Sequence, residues 1–171
     1  MLHVVLFHPE IPQNAGNVMR TCAATDARLH FIAPLGFRLD EKAIRRYGAH
    51  CIDGVAYDVW PDFDAFEEGH PGIYAFFTRY GANSPDHFDF GRIDAEYYLV
   101  FGSESTGLPK ELLRARRDAC VRLPMTDAVR SLNLANAVCV GLYEALRQQG
   151  YPGLSTTEPA TLRGADWLDR D

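Results

Sequence analysis

Four cysteines in 171 residues, none in a Cys-x-x-Cys pair, argue against a disulfide framework or a zinc knuckle. Cys22 and Cys139 lie in helical patterns and Cys120 in a strand pattern; with Cys51 they read as buried free thiols. The six histidines also lack metal-ligand spacing, so no metal is expected. No apolar run approaches the ~18 residues of a membrane span. The first run, Leu2–Phe7, is too short for a secretory signal and has no basic leader, so the expected location is cytoplasmic. No Ser–His–Asp or Cys–His arrangement and no carboxylate pair stands out. An overall basic charge is missing too: the net charge is -6, which by itself argues mildly against a nucleic-acid partner.

The composition that is present, 47% hydrophobic and 23% charged, is that of one globular domain with a real core. Leu2–Phe7 is almost continuously apolar, as in a strand buried on both faces of a parallel sheet. Asn14 is placed to cap a helix reaching about residue 27, with Val18, Met19, Cys22 and Ala23 as its stripe. Residues 29–33 read as a second strand, Asp40 as the cap of a short basic helix through Tyr47, and residues 52–60 as a weaker strand. Pro61 suits the first turn of a helix reaching Glu68. Residues 73–78 and Tyr97–Phe101 are clear strands, residues 83–92 a loop, and residues 108–116 a helix. Residues 120–123 form a short strand ended by Pro124. A polar loop, 126–131, then leads into a long helix from near Leu132 to Gln149, stopped by Gly150. The alternation predicts an α/β fold: a single domain with a mostly parallel sheet and helices on both faces. After Gly153 the chain turns to Ser, Thr, Pro, Gly and Asp. Residues 154–171 are therefore expected to be a loosely docked or disordered tail on a domain of residues 1–153.

Three loops on the expected carboxyl edge of the sheet could carry chemistry, since ligands collect there in open α/β folds. The first, Asn14-Ala15-Gly16-Asn17-Val18-Met19-Arg20, sets two amides and a guanidinium three residues apart on a helix, a group suited to phosphate or ribose. The second, Phe101-Gly102-Ser103-Glu104-Ser105-Thr106-Gly107-Leu108-Pro109, is neither a Walker loop nor Gly-x-Gly-x-x-Gly. Its Gly102 would admit a flat ring against the backbone, and Glu104 could accept from a hydroxyl or amine. In the third, Ser131, Asn133 and Asn136 stand where the long helix begins, with orphan N–H groups and a positive dipole end. Each loop is equally compatible with an ordinary strand–helix connection. Charge is also segregated. Residues 53–104 hold 11 acids and 2 bases, residues 110–130 hold 6 bases and 3 acids, and residues 36–50 hold 4 bases and 2 acids.

In this order the loops resemble the three signature motifs of the SPOUT methyltransferases. They are most similar to the small tRNA 2'-O-methyltransferases that act on the wobble nucleotide (TrmL-type). The matching residues are Pro12-x-Asn14-x-Gly16-Asn17-x-x-Arg20, Phe101-Gly102-Ser103-Glu104-x-x-Gly107-Leu108-Pro109, and Leu123-Pro124-Met125 followed by Arg130-Ser131-Leu132-Asn133-Leu134. Tyr143-Glu144-Ala145 and Gln148-x-Gly150-Tyr151-Pro152-Gly153 extend the match; Ala135 stands where the family often has Ser. The resemblance implies a C-terminal deep trefoil knot, which general rules of chain topology would not suggest. It implies S-adenosylmethionine held by Phe77, Gly102, Leu123 and Ser131 with Met125 and Leu132 nearby, and a homodimer completing each site at its interface. It makes Arg20 the principal catalytic residue, with Asn14, Ser131 and Asn133 ordering the ribose. Asn17, Glu104, Arg130 and Tyr143 would contact the tRNA substrate.

A sulfonium methyl is already an activated electrophile, so the expected tasks are alignment of a ribose hydroxyl and removal of one proton. A guanidinium, with a pKa above ~12, rarely gives up its proton, so Arg20 is read as a phosphate clamp and electrostatic stabiliser. Readings from other classes are an enzyme of the same fold acting on ribosomal RNA, an RNA-binding module without turnover, and a structural α/β domain. The two basic segments predict that tRNA binding weakens steeply between low and moderate salt despite the net negative charge. A flat response in a binding titration at stepped salt would count against it.

Overall fold

A computed structural model describes residues 1–39 and 56–170. The expected helix at 40–47, the first part of the expected strand at 52–60, most of the basic segment 36–50, and Cys51 fall outside the described residues. Among the described residues six strands form one sheet in the order β3-β2-β1-β5-β4-β6: β1 (Leu2–Phe7), β2 (Arg28–Ile32), β3 (Tyr57–Trp60), β4 (Ile73–Phe77), β5 (Tyr97–Phe101) and β6 (Cys120–Val121). Every pairing is parallel, with Val4 opposite Leu29 on one side and Leu99 on the other. All six carboxyl ends therefore open on one edge. β1 and β5 sit at the centre and are buried at every residue, as their unbroken apolar runs require.

Alternate residues of these strands feed two cores. Leu2, Val4, Leu6, Leu99 and Phe101 pack under α1 (Pro12–Thr25) and α4 (Leu134–Gln149). Val5, Phe7, Phe76, Tyr98 and Val100 pack against Phe63 and Phe66 of α2 (Phe63–Gly69) and, through Leu112 and Leu113, against α3 (Lys110–Ala115). Helices thus cover both faces. α4 rests on α1 and on the two central strands. The chain leaves β6 at the sheet margin and must cross the carboxyl edge, through residues 122–133, to return to the centre.

Several boundaries differ from expectation, each for a local reason. Asn14 does not cap α1. The helix begins at Pro12, whose fixed φ suits its first position, and Asn14 is buried within it. Asp62, rather than Pro61, starts α2, accepting from the Ala65 amide at 2.8 Å. β6 ends at Val121 because the next amide, Arg122, donates to the Asn83 carbonyl at 2.8 Å instead of to β4. α4 starts at Leu134, with Asn133 as its side-chain cap, and stops at Gly150 in the left-handed conformation. Cys22 and Cys120 are buried free thiols and Cys139 is half-buried. Burial pushes the Cys22 thiol up to about 12, which leaves it as a packing group. After Gly153, Leu154 packs on the α1/α4 core, while Leu162 and Leu168 are exposed.

A chain of polar contacts starts at the amino end of the sheet and runs through the aromatic layer to Trp60, the last residue of β3. His3 Nε2 meets Glu96 Oε2 at 2.6 Å, so this nitrogen carries the proton and donates. In neutral His3, Nδ1 then accepts, and His30 Nε2 donates to it at 2.9 Å. His30 Nδ1 in turn accepts from Trp60 Nε1 at 3.4 Å. Burial, reinforced by His3, His70 and Arg28, holds the His30 pKa down to about 3. Burial also lowers that of His3, against the pull of Glu96. Both pKa values lie below the ordinary value of 6.5, so the stabilisation they represent is complete above it and drains away as pH falls below it. The expected slope is about 1.4 kcal/mol per pH unit for each proton taken up. Urea midpoints should fall between pH 7 and 5 in the wild type and change less in His30→Leu; parallel curves would refute this account.

Candidate active site

The site is built on the carboxyl edge. The rings of Phe77, ending β4, and Phe101, ending β5, stack with centroids 4.5 Å apart and planes at 16°. Gly141 of α4 sits on this pair; a Cβ there would meet the Phe77 ring at 2.8 Å, so glycine is what lets the helix approach. Beyond Phe101 the chain turns sharply. The Gly107 amide donates to the Ser103 carbonyl at 2.9 Å and Ser103 Oγ pairs with Thr106 Oγ1 at 2.7 Å. A Cβ on Gly102 would run into the backbone of Gly107 and Leu108, so the turn closes only with glycine there.

Glu104 ties this turn to the other loops. Its carboxylate accepts from the Glu10 amide at 2.8 Å, the Ile11 amide at 3.2 Å and Asn14 Nδ2 at 2.7 Å. Glu10 returns the contact, accepting from the Ser105 amide at 3.1 Å and from Ser105 Oγ at 2.6 Å. The carboxylate fixes the orientation of the Asn14 amide, whose oxygen then accepts from Asn133 Nδ2 at 3.0 Å. That leaves Asn133 Oδ1 to cap α4, accepting from Ala135 and Asn136 amides at 2.9 and 3.3 Å. The loop after β4 is held separately. The Thr78 amide donates to the Val121 carbonyl at 2.8 Å, and Arg122 Nη1 donates to the Arg79 carbonyl at 2.7 Å.

These ties enclose a cavity of about 480 Å³. Phe77, Leu123, Met125 and Leu132 give it apolar walls; Gly102, the turn that follows and Ser131 give it backbone and hydroxyl groups. Its volume and mixed lining suit a small amphipathic molecule with a flat ring. Among the described residues no group of three or more His, Cys, Asp or Glu could hold a metal ion. No described helix is long and apolar enough to cross a membrane.

A sequence profile of the SpoU rRNA Methylase family matches residues 1–143. The chain belongs to the SpoU methylase family. A Geobacillus stearothermophilus relative, provisionally named tRNA (cytidine(34)-2'-O)-methyltransferase, is 47% identical over 155 residues, 90% of this chain and 99% of its own. A solved structure concerned with 2-OH methylation of C/U34 on tRNA is 45% identical, with TM-score 0.80, over 88% of this chain and 97% of that one. The SpoU methyltransferase AviRb of Streptomyces viridochromogenes, solved with its cofactor AdoMet, is 26% identical, with TM-score 0.75, over 87% of this chain and 58% of that one.

In this SpoU-family chain the residues singled out from sequence divide into two groups. Phe77, Gly102, Leu123, Met125, Ser131 and Leu132 line one cavity, and Asn14, Glu104, Arg130 and Asn133 join them. Asn17, Arg20 and Tyr143 do not line it; they are exposed on the outward sides of α1 and α4. The three-residue spacing of Asn14, Asn17 and Arg20 thus conceals a division: Asn14 turns in to Glu104 while the other two face away. Glu104 spends both oxygens on protein donors, which makes it a brace between loops. Glu10, Arg79 and Tyr80 lie outside the three motifs, and Thr106 lies inside the second without being singled out there. Their signal was position, since each lies within a few residues of a strand's carboxyl end.

Among the described residues no hydrogen bond links Glu104 to Asn133 directly, and Asn14 bonds to both. Removing the Glu104 carboxylate strands three donors and should cost about 1–3 kcal/mol. Glu104→Ala and Asn133→Ala should be coupled by at least about 0.5 kcal/mol in a double-mutant cycle of urea unfolding. Simple additivity would show that Asn14 transmits nothing.

Proposed function

We propose that this chain is a cytoplasmic, homodimeric enzyme that uses S-adenosylmethionine, without a metal, to methylate the ribose 2'-hydroxyl of the tRNA wobble nucleotide. The target is position 34, a cytidine or modified uridine; one relative is named for cytidine 34 and a solved structure concerns C/U34. The observation that carries this reading is the meeting of three sequence-distant loops in one cavity of about 480 Å³. The cofactor supplies a sulfonium-activated methyl group. Phe77, Leu123, Met125 and Leu132 would hold its apolar and ring portions, and the backbone around Gly102 and Ser131 its polar groups. Residues 122–133, returning from the sheet margin to its centre, are the segment we take to thread the trefoil knot. The catalytic domain is residues 1–153, with 154–171 as its tail.

The chain must then align a ribose hydroxyl and see one proton away. Ser131, which lines the cavity, would order the ribose, while Asn14 and Asn133 hold the loops around it in shape. Arg130 lines the same cavity and offers a cation to the substrate's phosphates. Arg20 clamps a phosphate and stabilises developing charge, and the proton leaves through phosphate or water. Arg20 is exposed and has no carboxylate in salt-bridge reach among the described residues. Its absence from its own cavity fits a residue lent to the partner's site. The outward side of α4 supports such a pairing: its Val140 and Tyr143 are 50% and 42% exposed. Tyr143 then packs or stacks at the interface, and Asn17 lies beside Arg20 on the same strip.

Bulk tRNA incubated with labelled S-adenosylmethionine should acquire label at the wobble ribose on nuclease mapping. Label in ribosomal RNA alone would overturn the substrate. The shared site has its own signature. Arg20→Ala and Gly102→Val, each inactive alone, should recover about a quarter of wild-type activity when mixed and allowed to exchange subunits, because each mixed dimer holds one intact site. No recovery would place Arg20 in cis.

A further inference from the structure

The basic stretch 110–130 does not act as one surface. Arg116 is clamped on both Glu67 oxygens at 2.8 and 2.6 Å. Arg122 is spent on the Arg79 carbonyl, and Arg130 belongs to the first cavity. Lys110, Arg114 and Arg117 are different. They are exposed, spaced four and three residues apart along α3 and the turn after it, and have no carboxylate in salt-bridge reach among the described residues. All three line a second cavity, of about 840 Å³, together with Phe7 and His8 from the end of β1.

This second cavity adjoins the first. Tyr80, Thr106, Gly107 and Leu108 line both. Tyr80 is 75% exposed, its ring flanked by the Arg79 guanidinium at 5.4 Å from the centroid. In a chain of net charge -6, three unpaired cations around one hollow repel each other, and an anion seated among them relieves that repulsion. A cationic wall facing an open aromatic ring is the combination that binds single-stranded nucleic acid: phosphates on the cations, a base on the ring.

We propose that the second cavity seats the nucleotides flanking the methylated ribose, with a base on Tyr80 and the phosphates on Lys110, Arg114 and Arg117. This rests on the reading that the first cavity serves RNA methylation. Tyr80, shared by both cavities, sets the register between the strand and the reacting ribose. The volume lies in the range of ligand sites, about 300–1,000 Å³, and admits more than a lone anion. Lys110, Arg114 and Arg117 are binding residues on this view, and Tyr80 binds the base and thereby positions the strand.

The full chain would be titrated with a synthetic anticodon stem–loop RNA at stepped salt, with cofactor affinity measured alongside by calorimetry. Lys110→Gln/Arg114→Gln/Arg117→Gln should weaken RNA binding about tenfold or more and lower the slope of log affinity against log salt by about 2, at ~0.7 per phosphate contact. KM for RNA should rise far more than kcat falls, and cofactor affinity should hold, which also reports that the variant is folded. Tyr80→Leu should weaken RNA about tenfold while Tyr80→Phe does not, and inorganic polyphosphate should bind both alike. An unchanged RNA affinity and salt slope in the triple variant, beside a wild type that methylates tRNA, would overturn the groove and leave the enzyme reading standing. Equal losses of RNA and polyphosphate in Tyr80→Leu would overturn the base contact. A wild type that binds cofactor but neither binds nor methylates any RNA would overturn both readings.

Discussion

One carboxylate, Glu104, holds together loops that the sequence sets 90 or more residues apart. Its oxygens accept from the turn before α1 and from a side chain within it, and Asn14 passes that constraint to Asn133 at the start of α4. Because a carboxylate can only accept, every amide in the series has one permitted orientation. The cap of α4, the anchoring of the glycine turn and the entry to α1 are therefore set by one connected series of bonds. A cavity walled by mobile loops would have to be ordered at the expense of binding energy; this one is ordered by the fold.

The sheet makes that economy possible. Parallel strands send every connection to the same edge, and the stacked Phe77 and Phe101 rings, with α4 pressed onto them through Gly141, give the edge a rigid floor. The second cavity arises from the same geometry. The turn that closes the first hollow has two sides, and Tyr80 and Thr106 belong to both. Binding in one cavity and binding in the other are then mechanically adjacent, with no domain motion required to connect them.

Much of the fold was legible in the sequence because burial on both faces leaves an unmistakable apolar run: β1 and β5 were read to the residue. Helix starts were less legible. Asn14 has the chemistry of a cap, and only the tertiary contact with Glu104 reveals it as a tie. The cavity residues Phe77, Gly102, Leu123 and Ser131 were named through family resemblance, and the structure gathers them on one surface. Spacing could not tell which side of α1 turns inward, so Asn14, Asn17 and Arg20 read as one group. Tyr80 carries no signal in the sequence beyond its position, because the loop that presents it is held by the Arg122–Arg79 bond between segments 43 residues apart.

The return of residues 122–133 to the centre of the sheet has a consequence for synthesis. Five strands have been made once Phe101 emerges, but Leu132, Leu134 and Ala137, which roof the cavity, come after. At roughly 5–20 residues per second, a nascent sheet waits a few seconds with part of one apolar face, the part α4 will cover, still open. During that interval it is a client for chaperones and has nowhere to hold a small molecule. Ligand capacity is the last property this protein acquires on the ribosome, and a chain stalled before α4 would have the sheet and none of the chemistry.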